Sequence, residues 1–173
     1  MQIADKKAVE QWLAEMSEQL ISTLGNESLA DIRVVGIQQS GVEIAHRLAS
    51  IMAIESEIGT LNINFHRDDF NQRGLHPQVA VSNLPWDIES RTVVLIDDVL
   101  YSGRTVRAAI NTLFDYGRAS RIILVVLIER SGHELPIRAD VKGQRLVLQA
   151  HQHVKLDPEN GGLQLIEVPP EKS

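Results

Sequence analysis

The chain has 173 residues, a formal net charge of −6 and no cysteine. That length suits one domain with enough interior to bury most of its apolar surface, and the missing cysteines exclude disulfides, zinc-thiolate sites and thiol nucleophiles together. No apolar run reaches the ~18 residues of a membrane span and no charged-then-apolar leader is present, so cytoplasm is the expected compartment. The acidic balance argues against a large nucleic-acid surface, because such binding is mostly phosphate neutralisation. The charge is uneven, however. Residues 1–30 set Lys6 and Lys7 against Asp5, Glu10, Glu15, Glu18 and Glu27, while residues 118–145 set Arg118, Arg121, Arg130, Arg138, Lys142 and Arg145 against Glu129, Glu134 and Asp140.

Helix and strand alternate along the chain. Val9, Trp12, Leu13, Met16, Leu20 and Leu24 follow helical spacing and predict an amphipathic helix over residues 5–24. Ile32 to Ile37 reads as a strand closed by Gln38-Gln39-Ser40-Gly41, after which Ile44, Leu48 and Ile51 place a helix at 42–53. Leu61, Ile63 and Phe65 alternate as a strand, and Val93–Asp97 is the next. Val106, Ala109, Ile110 and Leu113 mark a helix that stops at Gly117, followed by a continuous apolar strand from Ile122 to Ile128. Strand–helix–strand with short loops implies parallel, right-handed crossovers. Beyond Gly132 the apolar segments (Val141, Leu146–Leu148, Val154–Leu156, Leu163–Ile166) are short and broken by proline, glycine and asparagine, which predicts a small cap over residues 132–168.

The most informative stretch is Thr92 to Thr105, T-V-V-L-I-D-D-V-L-Y-S-G-R-T. Its apolar run has the length and β-branched content of a strand buried on both faces. Asp97 and Asp98 then fall at the C-terminal edge of a parallel sheet, where open α/β folds bind ligands. Tyr101, Ser102 and Gly103 turn the chain into a helix near Arg104, and amides at such a turn make an anion site. Two carboxylates beside an anion cradle suit a sugar phosphate. A buried strand that happens to end in two acids reads the same residues without a ligand. No G-x-x-x-x-G-K-[ST] loop occurs, which removes a P-loop. Residues 67–90 form a connection too long for a compact packing core, as lids and disordered segments do. Arg67, Asp68, Asp69 and Arg73 either close over a ligand or belong to an exposed charged loop.

The signature closely resembles that of type I phosphoribosyltransferases, and the resemblance extends from Asp5 to about Val168. It rests on V-V-G-I-x-x-x-G-V at Val34–Val42, H-R-D-D-F at His66–Phe70, L-I-D-D-V-L-Y-S-G-R-T-V-R-A-A at Leu95–Ala109 and E-L-P-I-R-A-D at Glu134–Asp140. The last segment points to the branch of pyrimidine-operon regulators that are also uracil phosphoribosyltransferases. The resemblance implies a single α/β domain of the type I phosphoribosyltransferase fold, a twisted, mostly parallel sheet flanked by helices with a small C-terminal hood. It implies phosphoribosyl pyrophosphate (PRPP) and uracil as substrates, UMP or UTP as a sensed nucleotide, and Mg2+ held mainly by PRPP without a dedicated protein ligand. A homo-oligomer, dimer or higher, is implied too. On the family pattern Asp97 and Asp98 clamp the ribose, and Val99, Leu100, Tyr101, Ser102, Gly103, Arg104 and Thr105 form the 5-phosphate loop. Gln39, Ser40 and Gly41 form the pyrophosphate loop, and Arg67, Asp68, Asp69 and Arg73 the lid.

Two departures bear on function. Regulatory relatives carry K-T-R-G where this chain has Gln38-Gln39-Ser40-Gly41, so two cations are missing from the pyrophosphate loop. Their first helix also presents T-R-x-x-H to messenger RNA. The matching positions here are Ala14, Glu15 and Glu18, and their H-R before E-L-P-I-R is Gly132-His133. Glutamates in place of cations repel a phosphate backbone, so RNA binding is expected to be weak. Tyr101 stands where purine-salvage members place an aspartate, which favours a pyrimidine acceptor. Glu129 and Arg130, at the end of the last core strand, either read the pyrimidine edge or form a surface ion pair. The leading expectation is a uracil phosphoribosyltransferase. The alternative is chiefly a UMP-responsive RNA-binding attenuation regulator with vestigial catalysis.

Overall fold

A computed structural model describes residues 1–63, 82–157 and 159–167. The expected lid residues Arg67, Asp68, Asp69 and Arg73, together with Phe65, lie outside the described residues. β1 (Gln2–Ala4) leads into α1 (Lys6–Leu24). Asp5 starts the helix by accepting the Ala8 N–H at 2.8 Å, an arrangement that satisfies one of the orphan donors of a helix start. Val9, Leu13, Met16, Leu20 and Leu24 form the buried stripe that the spacing predicts. There follow β2 (Arg33–Ile37), α2 (Gln38–Ile51), β3 (Gly59–Leu61), β4 (Thr92–Leu100), α3 (Arg104–Tyr116) and β5 (Arg121–Arg130). β6 (Val141–Leu146), β7 (Gln152–Leu156) and β8 (Leu163–Glu167) complete the order. No helix among the described residues is long and apolar enough to cross a membrane.

The main sheet has five strands in the order β3-β2-β4-β5-β6, and every neighbouring pair is parallel. Its central strands are apolar throughout because both faces are covered. Val94, Ile96, Ile123 and Val125 pack with α1 and α2, while Val93, Leu95, Leu124 and Val126 pack with α3. A second sheet, β1-β8-β7, is antiparallel.

The cap expected over 132–168 is therefore two different things. β7 and β8 do form a small separate sheet, with β1 as its third strand. β6 does not belong to it. Val141 instead opens an edge strand of the main sheet, parallel to β5. Its V-K-G-Q-R-L sequence lacks the apolar run of a central strand because it has one neighbour instead of two. The connection through residues 131–140 carries no helix, which is why it does not read as a crossover.

Other boundaries shift, and the strand expected from Leu61 and Ile63 is Gly59–Leu61, which ends before Ile63. α2 begins at Gln38 rather than at 42, so the Gln38–Gly41 segment is its first turn. β4 continues to Leu100, so the acidic pair lies inside the strand and not at its last residues.

Candidate active site

β2 and β4 pair only as far as Gly36 opposite Ile96, whereas β4 and β5 stay paired to Leu100 opposite Glu129. The acidic pair thus projects beyond the sheet on one side while remaining anchored on the other. The ladder has no partner for Asp98. Its N–H donates to Asp97 Oδ1 at 2.9 Å, and the Val99 N–H donates to Asp98 Oδ1 at 2.9 Å. Ile96 and Val99 both pack towards α1 and α2, although residues three apart in a regular strand face opposite sides. The alternation therefore slips within the acidic pair, and the strand turns there. Asp97 is 6% exposed, and Asp98 is half-buried.

The first turn of α2 lies directly beside this bend. A Cβ on Gly41 would stand 2.6 Å from the Ile96 carbonyl oxygen, so only glycine allows the helix so close to β4. Gln38 adopts φ 52 at the turn from β2, an uncommon conformation for a residue with a side chain. Gln39 is exposed and Ser40 half-buried. The expected pyrophosphate and ribose residues are adjacent in space.

Beyond Leu100 the chain turns through Tyr101 and Ser102 to Gly103, which begins α3 at φ 93. Gly103 has no side chain to cap the helix, and the turn encloses a cavity of about 30 Å³ lined by Val99, Leu100, Tyr101, Ser102, Gly103, Thr105 and Val106. The N–H groups of a helix start and the helix dipole favour an anion in that place. Ser102 is buried, and its Oγ accepts the Arg104 N–H at 3.2 Å. The turn is braced from behind by the segment after β5. The Ser102 carbonyl accepts the N–H groups of Glu134 and Leu135, both at 3.0 Å, and Arg104 pairs with Glu134 at 2.7 Å. This strap, Glu134–Ile137, is the role of the E-L-P-I segment, for which the sequence offered no role.

Glu129 and Arg130 are both buried, so they are not a surface ion pair. Nor does either present a free edge. Glu129 accepts from Lys142 Nζ at 2.9 Å and from the Ala139 N–H at 3.3 Å, with His133 Nε2 at 3.9 Å. Burial pushes its carboxyl up, but Lys142, the Ala139 N–H and the charge of His133 outweigh that and hold it below the usual value. Arg130 donates to the carbonyls of Gln149 and Gln152, and its guanidinium lies 3.8 Å over the Tyr101 ring. The sequence alone gives Lys142, His133 and His153 no part in holding Glu129 or Tyr101. Lys142 stands opposite Val126 in the β5–β6 ladder and reaches along β5 to Glu129, a contact that exists only because β6 is an edge strand of the main sheet.

A larger cleft of about 490 Å³ opens elsewhere, lined by Glu27, Asp31, Ser90, Arg91, Thr92, Ser120 and Arg121. It sits at the N-terminal ends of β4 and β5, away from the acidic pair. Its arginines are engaged, Arg91 with Asp31 at 3.2 Å and Arg121 with Glu27 at 3.0 Å. The acidic bend, the start of α3 and the adjoining first turn of α2 remain the better site. Among the described residues no group of three or more His, Asp or Glu side chains could hold a metal ion.

The phosphoribosyl transferase domain model matches residues 1–159. The chain belongs to the phosphoribosyl transferase family. It is 48% identical over 144 residues to the bifunctional protein PyrR of Pseudomonas fluorescens, covering 83% of this chain and 86% of that protein. The bifunctional protein PyrR of Pseudomonas syringae pv. tomato is 47% identical over 154 residues, covering 88% of this chain and 91% of that protein. Among solved structures, the hypoxanthine phosphoribosyl transferase of Trypanosoma cruzi superposes with a TM-score of 0.72 at 13% identity, covering 99% of this chain and 92% of that one. A hypoxanthine phosphoribosyltransferase of Staphylococcus aureus gives 0.65 at 16% identity, with 85% and 77% covered. The structural likenesses show the type I phosphoribosyltransferase fold; the sequence likenesses place the chain with the PyrR proteins of the family.

Proposed function

We propose that the chain transfers the 5-phosphoribosyl group of PRPP to uracil, giving UMP and pyrophosphate. The observation that carries this reading is the placement, in one short stretch of chain, of the Asp97–Asp98 bend and the glycine-led start of α3, with the first turn of α2 against the bend. Asp97 and Asp98 accept the ribose hydroxyls, with Asp98 the more accessible of the two. The amides of residues 102–105 and the hydroxyls of Ser102 and Thr105 hold the 5-phosphate. The first turn of α2, Gln39 to Gly41, faces the pyrophosphate, which lacks the cations found there in relatives.

In the transfer the bond from C1′ to pyrophosphate breaks as a bond from C1′ to the pyrimidine N1 forms, and the N1 proton is lost. Magnesium fits this site as a companion of PRPP. PRPP would supply most of its oxygen donors, with no dedicated protein ligand, and when bound it would supply positive charge beside the pyrophosphate.

The test is UMP formation from uracil and PRPP, compared with hypoxanthine, guanine and orotate. Uracil should be used in clear preference. Equal or better use of a purine base would overturn the assignment. A second role as a sensor of uridine nucleotides that regulates pyrimidine genes accords with the word bifunctional in the relatives' names. RNA binding measured with and without UMP reads that role directly.

A further inference from the structure

Arg130 is 2% exposed, a degree of burial that costs a cation heavily unless something offsets its charge. Its Nη1 donates to the Gln152 carbonyl, its Nη2 to the Gln149 carbonyl at 3.0 Å and its Nε to the Ser131 carbonyl at 3.4 Å. All three acceptors are neutral, and among the described residues it makes no ion pair. The remaining partner is the face of the Tyr101 ring, 3.8 Å from the guanidinium carbon, the arrangement in which a ring quadrupole attracts a cation.

The same ring is held from two other directions. His153 meets it edge-on, with centroids 6.5 Å apart and planes at 81°. Gly132 passes so close that a Cβ there would stand 2.6 Å from Tyr101 Cε2. Two separate segments, Arg130 with Gly132 at the end of β5 and His153 in β7, thus fix a half-buried ring that also lines the cavity before α3. A tyrosine that merely filled space would not need a buried, carboxylate-free cation beneath it.

We propose that Arg130 is a positioning residue for the acceptor base. It does not touch the base. Stacked beneath Tyr101 and tied to the turn at Gln149–Gln152, it presets the ring as the wall against which a pyrimidine lies. Its buried charge also favours the partial negative charge on the two carbonyl oxygens of a uracil moiety beside that wall. This inference rests on the assignment of a pyrimidine acceptor.

Calorimetric binding of UMP and of ribose 5-phosphate tests it, because the two ligands share sugar and 5-phosphate and differ at C1′, where one carries the base and the other a hydroxyl. Arg130→Lys keeps the charge but loses the flat fork. Arg130→Lys should weaken UMP about tenfold, or about 1.4 kcal/mol, with ribose 5-phosphate changed less than about twofold, and Tyr101→Leu, which removes the ring itself, should weaken UMP at least as much. The double variant should be no weaker than the worse single, since both remove one platform. Unchanged UMP affinity, or a parallel loss for both ligands, would overturn the proposal. If Arg130→Lys fails to fold, Arg130→Met, a neutral chain of similar length that leaves no buried charge unpaired, gives the same selective comparison. A wild-type protein that forms no UMP would sink the enzymatic reading and leave this binding comparison intact. One that binds neither ligand would sink both.

Discussion

At the scale of single residues, Asp98 and Glu129 make opposite use of a carboxylate. Asp98 has one oxygen held by the Val99 N–H and stands half-buried at the bend of β4. Asp98→Asn should lower catalytic efficiency with PRPP tenfold or more, since charge-assisted hydrogen bonds contribute about 1.5–3 kcal/mol each. Steady-state kinetics on the folded variant check this, and unchanged kinetics would remove Asp98 from the ribose clamp. Glu129 is structural. Its carboxyl lies below its ordinary value of 4.5 because Lys142, the Ala139 N–H and His133 outweigh burial. A carboxyl depressed on folding contributes stability that is complete above its unfolded pKa and is lost as pH falls through the folded one. Glu129→Gln should therefore cost about 1–3 kcal/mol at pH 7, with the deficit shrinking below pH 4.5. Urea titrations at pH 7 and pH 4 check the sign; an equal deficit at both would show that the charge is not the cause.

At the scale of elements, the site depends on how closely α2 and β4 approach. Gly41→Ala places a Cβ 2.6 Å from a backbone oxygen that cannot rotate away. The helix start must shift, at a cost of about 1–3 kcal/mol for such overpacking. The urea midpoint should fall, and PRPP affinity with it; a variant as stable and as tight as the wild type would mean the first turn of α2 has room to spare. Much of this was legible in the sequence. β4 and β5 declare themselves because strands buried on both faces must be apolar throughout, and the acidic pair stands out by breaking that run. The position of the turn after Leu100 follows from Tyr101-Ser102-Gly103. What the sequence hid depends on register or on backbone contacts. β6 is half polar because it is an edge strand. Lys142 reaches Glu129 only once that edge is in place. The Glu134–Ile137 strap acts through amides donated to the Ser102 carbonyl, which no side-chain pattern reports. β1 is three residues long, too short to show any alternation.

Over the whole molecule, the charge distribution argues against tight RNA binding. Glu15 and Glu18 are exposed on α1. The basic stretch beyond residue 117 is partly neutralised, with Arg121 paired to Glu27 and Lys142 to Glu129. Binding to a pyrimidine-operon leader should stay at the non-specific level of roughly 10⁻⁴ to 10⁻⁶ M at physiological salt, with little response to UMP. The double change Glu15→Arg with Glu18→His should tighten it and steepen the salt dependence, because α1 lies against β6, where Gln19 donates to the Lys142 carbonyl. Filter binding over a salt series checks this, and tight UMP-stimulated binding by the unaltered protein would reverse it. The small sheet carries a consequence for synthesis. Met1 and Leu165 exchange backbone hydrogen bonds across 164 residues of chain. At about 5–20 residues per second on the ribosome, β1 emerges on the order of 10 s before β8 exists. The nascent chain must therefore finish its parallel core with one strand waiting, and its shortness limits what else that strand can pair with in the interval.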